Sequence, residues 1–128
     1  MQFNDEKDYI MRMIKEMVRV LFSLMLGKQY SQVELQNENK YEVSGKKLRE
    51  FKDMIDQGKI NEAENLLLES IDYKNKDEVT AAVLFYQYLD QKEDGFLKEN
   101  DYSREEILEG LKQLAERAGY REICEILE

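Results

Sequence analysis

Residues 90–101, DQKEDGFLKEND, hold the carboxylates whose spacing comes nearest to a metal-binding motif in this chain. An EF-hand calcium loop places oxygen ligands at positions 1, 3, 5, 7, 9 and 12, glycine at position 6 and an apolar residue at position 8. With Asp90 at position 1, Asp94 falls at position 5, Gly95 at 6 and Leu97 at 8. The stretch therefore has part of the outline of a calcium site.

Two lysines oppose calcium binding in this stretch. Lys92 stands at position 3 and Lys98 at position 9, so ammonium groups replace two of the oxygen ligands. Asp101, at position 12, is shorter than the bidentate glutamate of the motif and precedes the expected helix start at Ser103. Because two cations repel a dication, we expect no calcium site, and we expect residues 94–95 to form a turn.

The rest of the chain offers few groups for catalysis. It has no histidine, which removes the commonest general base and metal ligand. Its one cysteine, Cys124, lies among apolar residues, where a buried thiol is inert. Glu105, Glu106 and Glu109 form a carboxylate cluster, but the Glu-x-x-His motif of di-iron bundles is absent. We therefore expect a non-enzymatic protein with no metal ion and no cofactor.

The composition indicates one helical domain over residues 1–128. Hydrophobic residues make up 42% of the chain and charged residues 37%, and there is no proline to break a helix. The net charge of −9 comes from residues 31–128, which hold fourteen Lys/Arg and twenty-four Asp/Glu. Because an acidic surface repels phosphate, we expect no nucleic-acid partner.

The N-terminal residues, MQFNDEKDY, are acidic where a signal peptide has a basic region. The longest weakly charged run, residues 20–26, is far shorter than the ~20 apolar residues of a membrane span. A single cysteine excludes an internal disulfide. We expect a cytoplasmic location and no membrane-spanning segment.

A long amphipathic helix is predicted in residues 1–27, from about Asn4 to Leu26, with Gly27 as its stop. Its second half, VRVLFSLML, is apolar on more than one face, which indicates either several neighbouring helices or a second chain. Methionines, which adapt to varied partners, are concentrated in this helix. Ordinary core packing is the alternative explanation for them. The residues predicted to form an interface are Ile10, Met13, Ile14, Met17, Leu21, Phe22, Leu24 and Met25.

The remaining sequence predicts a polar connector over 28–43 and a body of helical hairpins over 44–128. In the body, apolar spacing predicts helices over 44–57, 61–71, 77–91, 103–119 and 120–127. The most distinct helix start is the capping box of Ser103 and Glu106. The pattern therefore predicts an all-α fold of five to six helices, without a strand or β-hairpin.

Residues 58–63, GKINEA, followed by Leu67, resemble the turn and second-helix start of a tetratricopeptide repeat. The Trp-Leu-Gly signature of the first helix and the closing proline of that repeat are missing. The resemblance implies antiparallel helical hairpins of tetratricopeptide-like form rather than a true repeat array.

A second resemblance extends over most of the chain. It is carried by DYIMRMI at 8–14, AE-x-LL at 63–67, FY-x-x-L at 85–89 and YSREEI-x-x-GL at 102–111. These segments are similar to a small helical bacterial family, domain of unknown function 6483. The resemblance implies an all-helical cytoplasmic protein and supplies no activity, catalytic residue or cofactor.

Two functions follow as hypotheses. The first is a protein-interaction or self-association module, a homodimer or a complex with a protein partner, that docks through the apolar N-terminal helix. The second is a small-ligand-binding protein or enzyme that uses a groove between helical hairpins, with Tyr, Glu and Lys as its polar groups.

Overall fold

The computed structural model describes residues 2–27 and 41–120, with side chains from residue 6 onwards. Within these residues the chain is all-α, as predicted, apart from one pair of two-residue strands. The elements are α1 Gln2–Leu26, β1 Glu42–Val43, β2 Lys46–Lys47, α2 Leu48–Asp56, α3 Ile60–Ser70, α4 Lys76–Asp90, α5 Asp94–Glu99 and α6 Arg104–Arg117.

Helix α4 is the centre of the core. It contacts α1, α6, α2 and β1. Its side chains are buried on every face because the sequence VTAAVLFY contains no charged residue. The buried residues of α4 are Val79, Thr80, Ala81, Ala82, Val83, Leu84, Phe85, Tyr86 and Leu89. A helix of this kind requires neighbours all round, and the other elements supply them.

The ends of α4 and α6 follow the rules of helix capping. Asn75 precedes α4, and its Oδ1 accepts hydrogen bonds from the backbone N–H groups of Asp77 and Glu78 at 2.9 and 3.2 Å. At the start of α6, the Oγ of Ser103 accepts the N–H of Glu106 at 3.2 Å, which is one half of the predicted capping box, and the Glu106 carboxylate accepts the Ser103 hydroxyl at 3.2 Å.

The prediction of a connector to residue 43 and a helix from residue 44 is wrong at residues 41–47. Glu42 pairs with Lys47 and Val43 with Lys46 in an antiparallel hairpin. Ser44 and Gly45 both have positive φ, 50° and 85°, which is the backbone of a type I′ turn. The hairpin is held to the body by the Oγ of Ser44, which donates to the carbonyl of Ser70 at 2.7 Å.

A short helix, α5, replaces the turn expected at residues 94–95. Phe96 is partly buried and Leu97 is 1% exposed, so this segment does turn its apolar side chains to the core. Helices α2 and α3 contact each other across the Gly58 turn. The last predicted helix, 120–127, and residues 28–40 of the connector lie outside the described residues.

Close packing of α6 on α4 depends on the absence of a side chain at Gly110. A Cβ atom placed there would lie 2.5 Å from the ring Cζ of Tyr86. The Tyr86 ring cannot yield easily because it is buried, and its hydroxyl donates to Glu64 at 2.7 Å.

We therefore expect Gly110→Ala to destabilise the protein by about 1–3 kcal/mol through overpacking, despite the better helix propensity of alanine. Urea denaturation measures the free energy of unfolding. Gly95→Ala in α5 is the matched control, since its Cβ would meet nothing within 4 Å. Equal stability of the two variants would contradict this packing.

Candidate functional site

The structure places most of the predicted interface of α1 inside the chain's own core. Helix α1 packs on α4 and α6. Five of the eight predicted interface residues are therefore between 0% and 6% exposed, namely Ile14, Met17, Leu21, Phe22 and Met25. Over its inner face, α1 is thus covered by neighbouring helices of its own chain, the first of the two alternatives that the sequence left open. Ile10 and Met13 are partly buried, and Leu24 is 49% exposed.

What remains accessible is a narrow apolar stripe on one flank of α1. We call it the α1 flank, and it consists of Tyr9, Met13, Val20 and Leu24. Tyr9 is 50% exposed and Leu24 49%, while Met13 and Val20 are partly buried and Val20 packs in part against the core. At 3.6 residues per turn the four side chains fall within about 60° of one another around the helix axis. The sequence analysis named Met13 and Leu24 but missed Tyr9 and Val20, because their accessibility depends on how α1 is rotated against α4.

In the stretch that resembles a calcium loop, Arg104 contacts the carboxylates at loop positions 1 and 5. Arg104 donates from Nη1 to the Oδ1 of Asp90 and from Nε to the Oδ1 of Asp94, both at 2.8 Å. It also donates to the carbonyl of Asp90 at 2.9 Å and to that of Lys92. The guanidinium thus joins the end of α4, the loop and the start of α5 to the start of α6.

This Arg104 network is partly buried. The side chains of Arg104 and Asp90 are only 10% and 8% exposed. Burial raises the pKa of Asp90 above its ordinary value, and the charge of Arg104 opposes that rise. The pKa of Asp94 is held below its ordinary value, chiefly by a hydrogen bond from Lys7 on α1. These contacts make the network a structural tie, and its role was not foreseen from the sequence, which placed Arg104 only as a capping-box neighbour.

A second polar cluster lies where α3, α4 and the start of α6 meet. Glu64 accepts hydrogen bonds from the hydroxyls of Tyr86 at 2.7 Å and Tyr102 at 2.9 Å. Burial, and then the nearby Glu64 charge, raise the pKa of both tyrosines, so their hydroxyls stay protonated as donors. The cluster therefore links α3 to α4 and to the residue before α6 through hydrogen bonds to one carboxyl group.

The remaining site residues of the sequence analysis are dispersed. Three glutamates, Glu105, Glu106 and Glu109, are exposed on α6. Glu106 is hydrogen-bonded to Ser103, the residue that caps this helix. Among residues 2–27 and 41–120 no group of three or more acidic, histidine or cysteine side chains is arranged to hold a metal ion. Cys124 lies outside the described residues. No helix in the described part is long and apolar enough to cross a membrane.

The Arg104 network should contribute to the stability of the folded protein. Arg104→Met leaves Asp90 buried without its countercharge, so we expect a loss of about 3–5 kcal/mol near pH 7. Without Arg104, the pKa of Asp90 rises further above its ordinary 3.8. The variant therefore loses stability as the pH rises through the raised pKa of Asp90, and it regains that stability when acid protonates the carboxylate. We expect the loss of stability relative to the wild type to be smaller near pH 4 than near pH 7.

Urea denaturation at both pH values measures this difference. Arg49→Met is the control, because Arg49 is exposed on α2, and we expect a change within about 0.5 kcal/mol. A loss for Arg104→Met that is the same at both pH values would rule out the Asp90 charge as its cause.

Comparison with known proteins gives a family and no activity. A search of curated proteins and a search of solved structures each found no match. The model of a family of unknown function, DUF6483, matches residues 4–119. Since this match covers nearly the whole chain, including α1 and the Arg104 network, the chain belongs to the DUF6483 family.

Proposed function

We propose that this protein is a non-enzymatic self-association module, in which the α1 flank pairs with the same flank of a second copy. The supporting observation is that the two most exposed large apolar side chains of the described residues, Tyr9 and Leu24, both lie on this flank. Isolated apolar side chains are common on surfaces, but an aligned stripe is typical of an interaction site.

The spacing of the stripe suits a two-fold symmetric pair. Its four residues are separated by four, seven and four positions, so the pattern reads the same in both directions. In an antiparallel pair of helices, Tyr9 would lie opposite Leu24 and Met13 opposite Val20. A two-fold dimer requires this kind of self-complementary surface. From Tyr9 to Leu24 the stripe covers 15 helical steps, or about 22 Å of helix.

The charge distribution also favours a second copy at this surface. Residues 6–27 carry four Lys/Arg and three Asp/Glu, whereas the whole chain has a net charge of −9. Two copies that met through any strongly acidic face would repel each other, and the repulsion is smallest at the near-neutral helix.

Glu16 lies beside the flank, midway along it, and its charge is already paired. Arg19 donates to Glu16 from both Nε, at 3.3 Å, and Nη2. This hydrogen bonding holds the pKa of Glu16 below its ordinary value. Because each carboxylate brings its own guanidinium, two Glu16 side chains near a two-fold axis would meet as neutralised pairs.

Cellular location and the form of the α2–α3 pair are inferred from the sequence and from local geometry. We infer a cytoplasmic location from the acidic composition and the single cysteine. We also infer that α2 and α3 form a tetratricopeptide-like hairpin, supported by Gly58 at positive φ and by the buried Ala63 between the helices.

A short helix pair lies at the small end of protein interfaces, so we expect a reversible dimer with a Kd on the order of micromolar. Leu24→Glu places a charge in the stripe of both copies and should weaken the dimer roughly tenfold or more. Analytical ultracentrifugation over a concentration series measures the dissociation constant. Leu21 and Met25 are unsuitable test positions, because both are buried and their charging would unfold the chain.

Leu66→Glu is the matched control, since Leu66 is the other large apolar side chain exposed in the described residues and lies on α3. We expect it to leave the dissociation constant unchanged. At a concentration well below the dissociation constant, where the wild type is also monomeric, thermal unfolding of Leu24→Glu should match that of the wild type. A wild type that stays monomeric, or a Leu24→Glu monomer that melts well below it, overturns the proposal, the latter because the chain itself would then cover the flank.

A further inference from the structure

A cavity of about 350 Å³ opens where the last turn of α1, the first turn of α4 and the end of α6 come together. Its floor includes Met25 and Val79, which are 6% and 1% exposed. Its rim carries Lys74, Lys76 and Arg117. We call it the basic cavity. Cavities of a few hundred cubic ångströms with an apolar floor and a few polar groups are typical of small-molecule sites.

The charge of this cavity is opposite to that of the chain. The protein has a net charge of −9, yet three cations and no described carboxylate line the cavity. Asp77 and Glu116 adjoin Lys76 and Arg117 in the sequence and are exposed, whereas two other nearby acids, Glu78 and Asp72, accept backbone hydrogen bonds. Glu78 accepts the backbone N–H groups of Asp72 at 2.9 Å and Ser44 at 3.3 Å, and Asp72 accepts that of Lys74 at 3.0 Å. Among the described residues, these three cations line the cavity and no carboxylate does, so the cavity wall itself is positively charged.

Lys76 stands at a position that helix stability alone disfavours. It is the first residue of α4, a helix of 15 residues, whose positive dipole end disfavours a cation and favours an anion. The same dipole would add to the attraction of Lys74 and Lys76 for a bound anion. The fold itself gains nothing from this cation, since Asp77 and Glu78 in the same turn already supply the negative charges that this end of the helix favours.

Arg117 is oriented by an aromatic neighbour. Its Nη1 donates to the hydroxyl of Tyr73 at 3.2 Å, and its guanidinium lies 5.8 Å from the centre of that ring. This contact uses only part of the five N–H donors of the guanidinium. The others remain for oxygen atoms of a ligand, and the fork of donors suits phosphate.

We propose that the basic cavity binds a small organic phosphate monoester. Lys74, Lys76 and Arg117 contact the phosphate, and the organic part covers the apolar floor of Met25 and Val79. A phosphate monoester carries a charge near −2 at neutral pH, which three cations accommodate better than they would a single carboxylate. This site goes beyond the proposed self-association and does not depend on it.

Calorimetric titration of the full-length protein with phenyl phosphate tests the site at an ionic strength of about 0.1 M. We expect a Kd below about 1 mM, and weaker binding by at least about fivefold for inorganic phosphate, which lacks the apolar part. Lys76→Gln should weaken the binding of phenyl phosphate about tenfold. The same substitution should keep or raise the melting temperature, because it removes a cation from the positive end of α4.

Lys59→Gln is the matched control, with the same change of charge at an exposed lysine that does not line the cavity, and it should alter the affinity less than twofold. Absence of phenyl phosphate binding overturns the proposal, as does an equal effect of Lys59→Gln and Lys76→Gln. Equal affinities for inorganic and phenyl phosphate would overturn the assignment of the apolar floor. These outcomes are independent of whether the protein dimerises.

Discussion

Enclosure of α4 is the constraint on which the rest of this structure depends. A helix that is apolar on all faces gains its stability only when neighbours cover every side. Here α1, α2, α6 and the β1 strand do so, and the Gly110–Tyr86 contact lets α6 come close. Since α4 needs these partners, the inner face of α1 is committed to the chain's own core, and only a flank is left for another molecule.

The polar ties follow from the same arrangement. Where α4 ends, the chain must turn twice within a few residues before α6 begins, and Arg104 links both sides of that turn through Asp90 and Asp94. A buried ion pair adds little net stability over an apolar pair of similar size, but it is costly to break. Arg104 therefore fixes the path of residues 90–104 rather than supplying much of the folding energy.

Much of the helical pattern could be read from the sequence, because spacing and caps are local. The Ser103 helix cap and the apolar period of α1 are found where they were predicted. The hairpin at 42–47 was missed because its only local signal in the sequence is the dipeptide Ser44-Gly45. The structure shows that both of these residues have positive φ. The sequence does not predict how α1 divides into a buried face and an exposed flank. The helical period shows which side chains share a face, but it does not show how much of that face the neighbouring helices cover.

The two proposed surfaces share a physical origin in the distribution of charge. An acidic surface keeps copies of a protein apart and repels anions, so neither self-association nor phosphate binding is favourable over most of this molecule. The α1 flank is near neutral and the basic cavity is positive. Both involve the last turn of α1, where Leu24 lies on the flank and its neighbour Met25 lines the cavity. The segments that bring Lys74, Lys76 and Arg117 together are about forty residues apart, which is why no sequence motif marks the cavity.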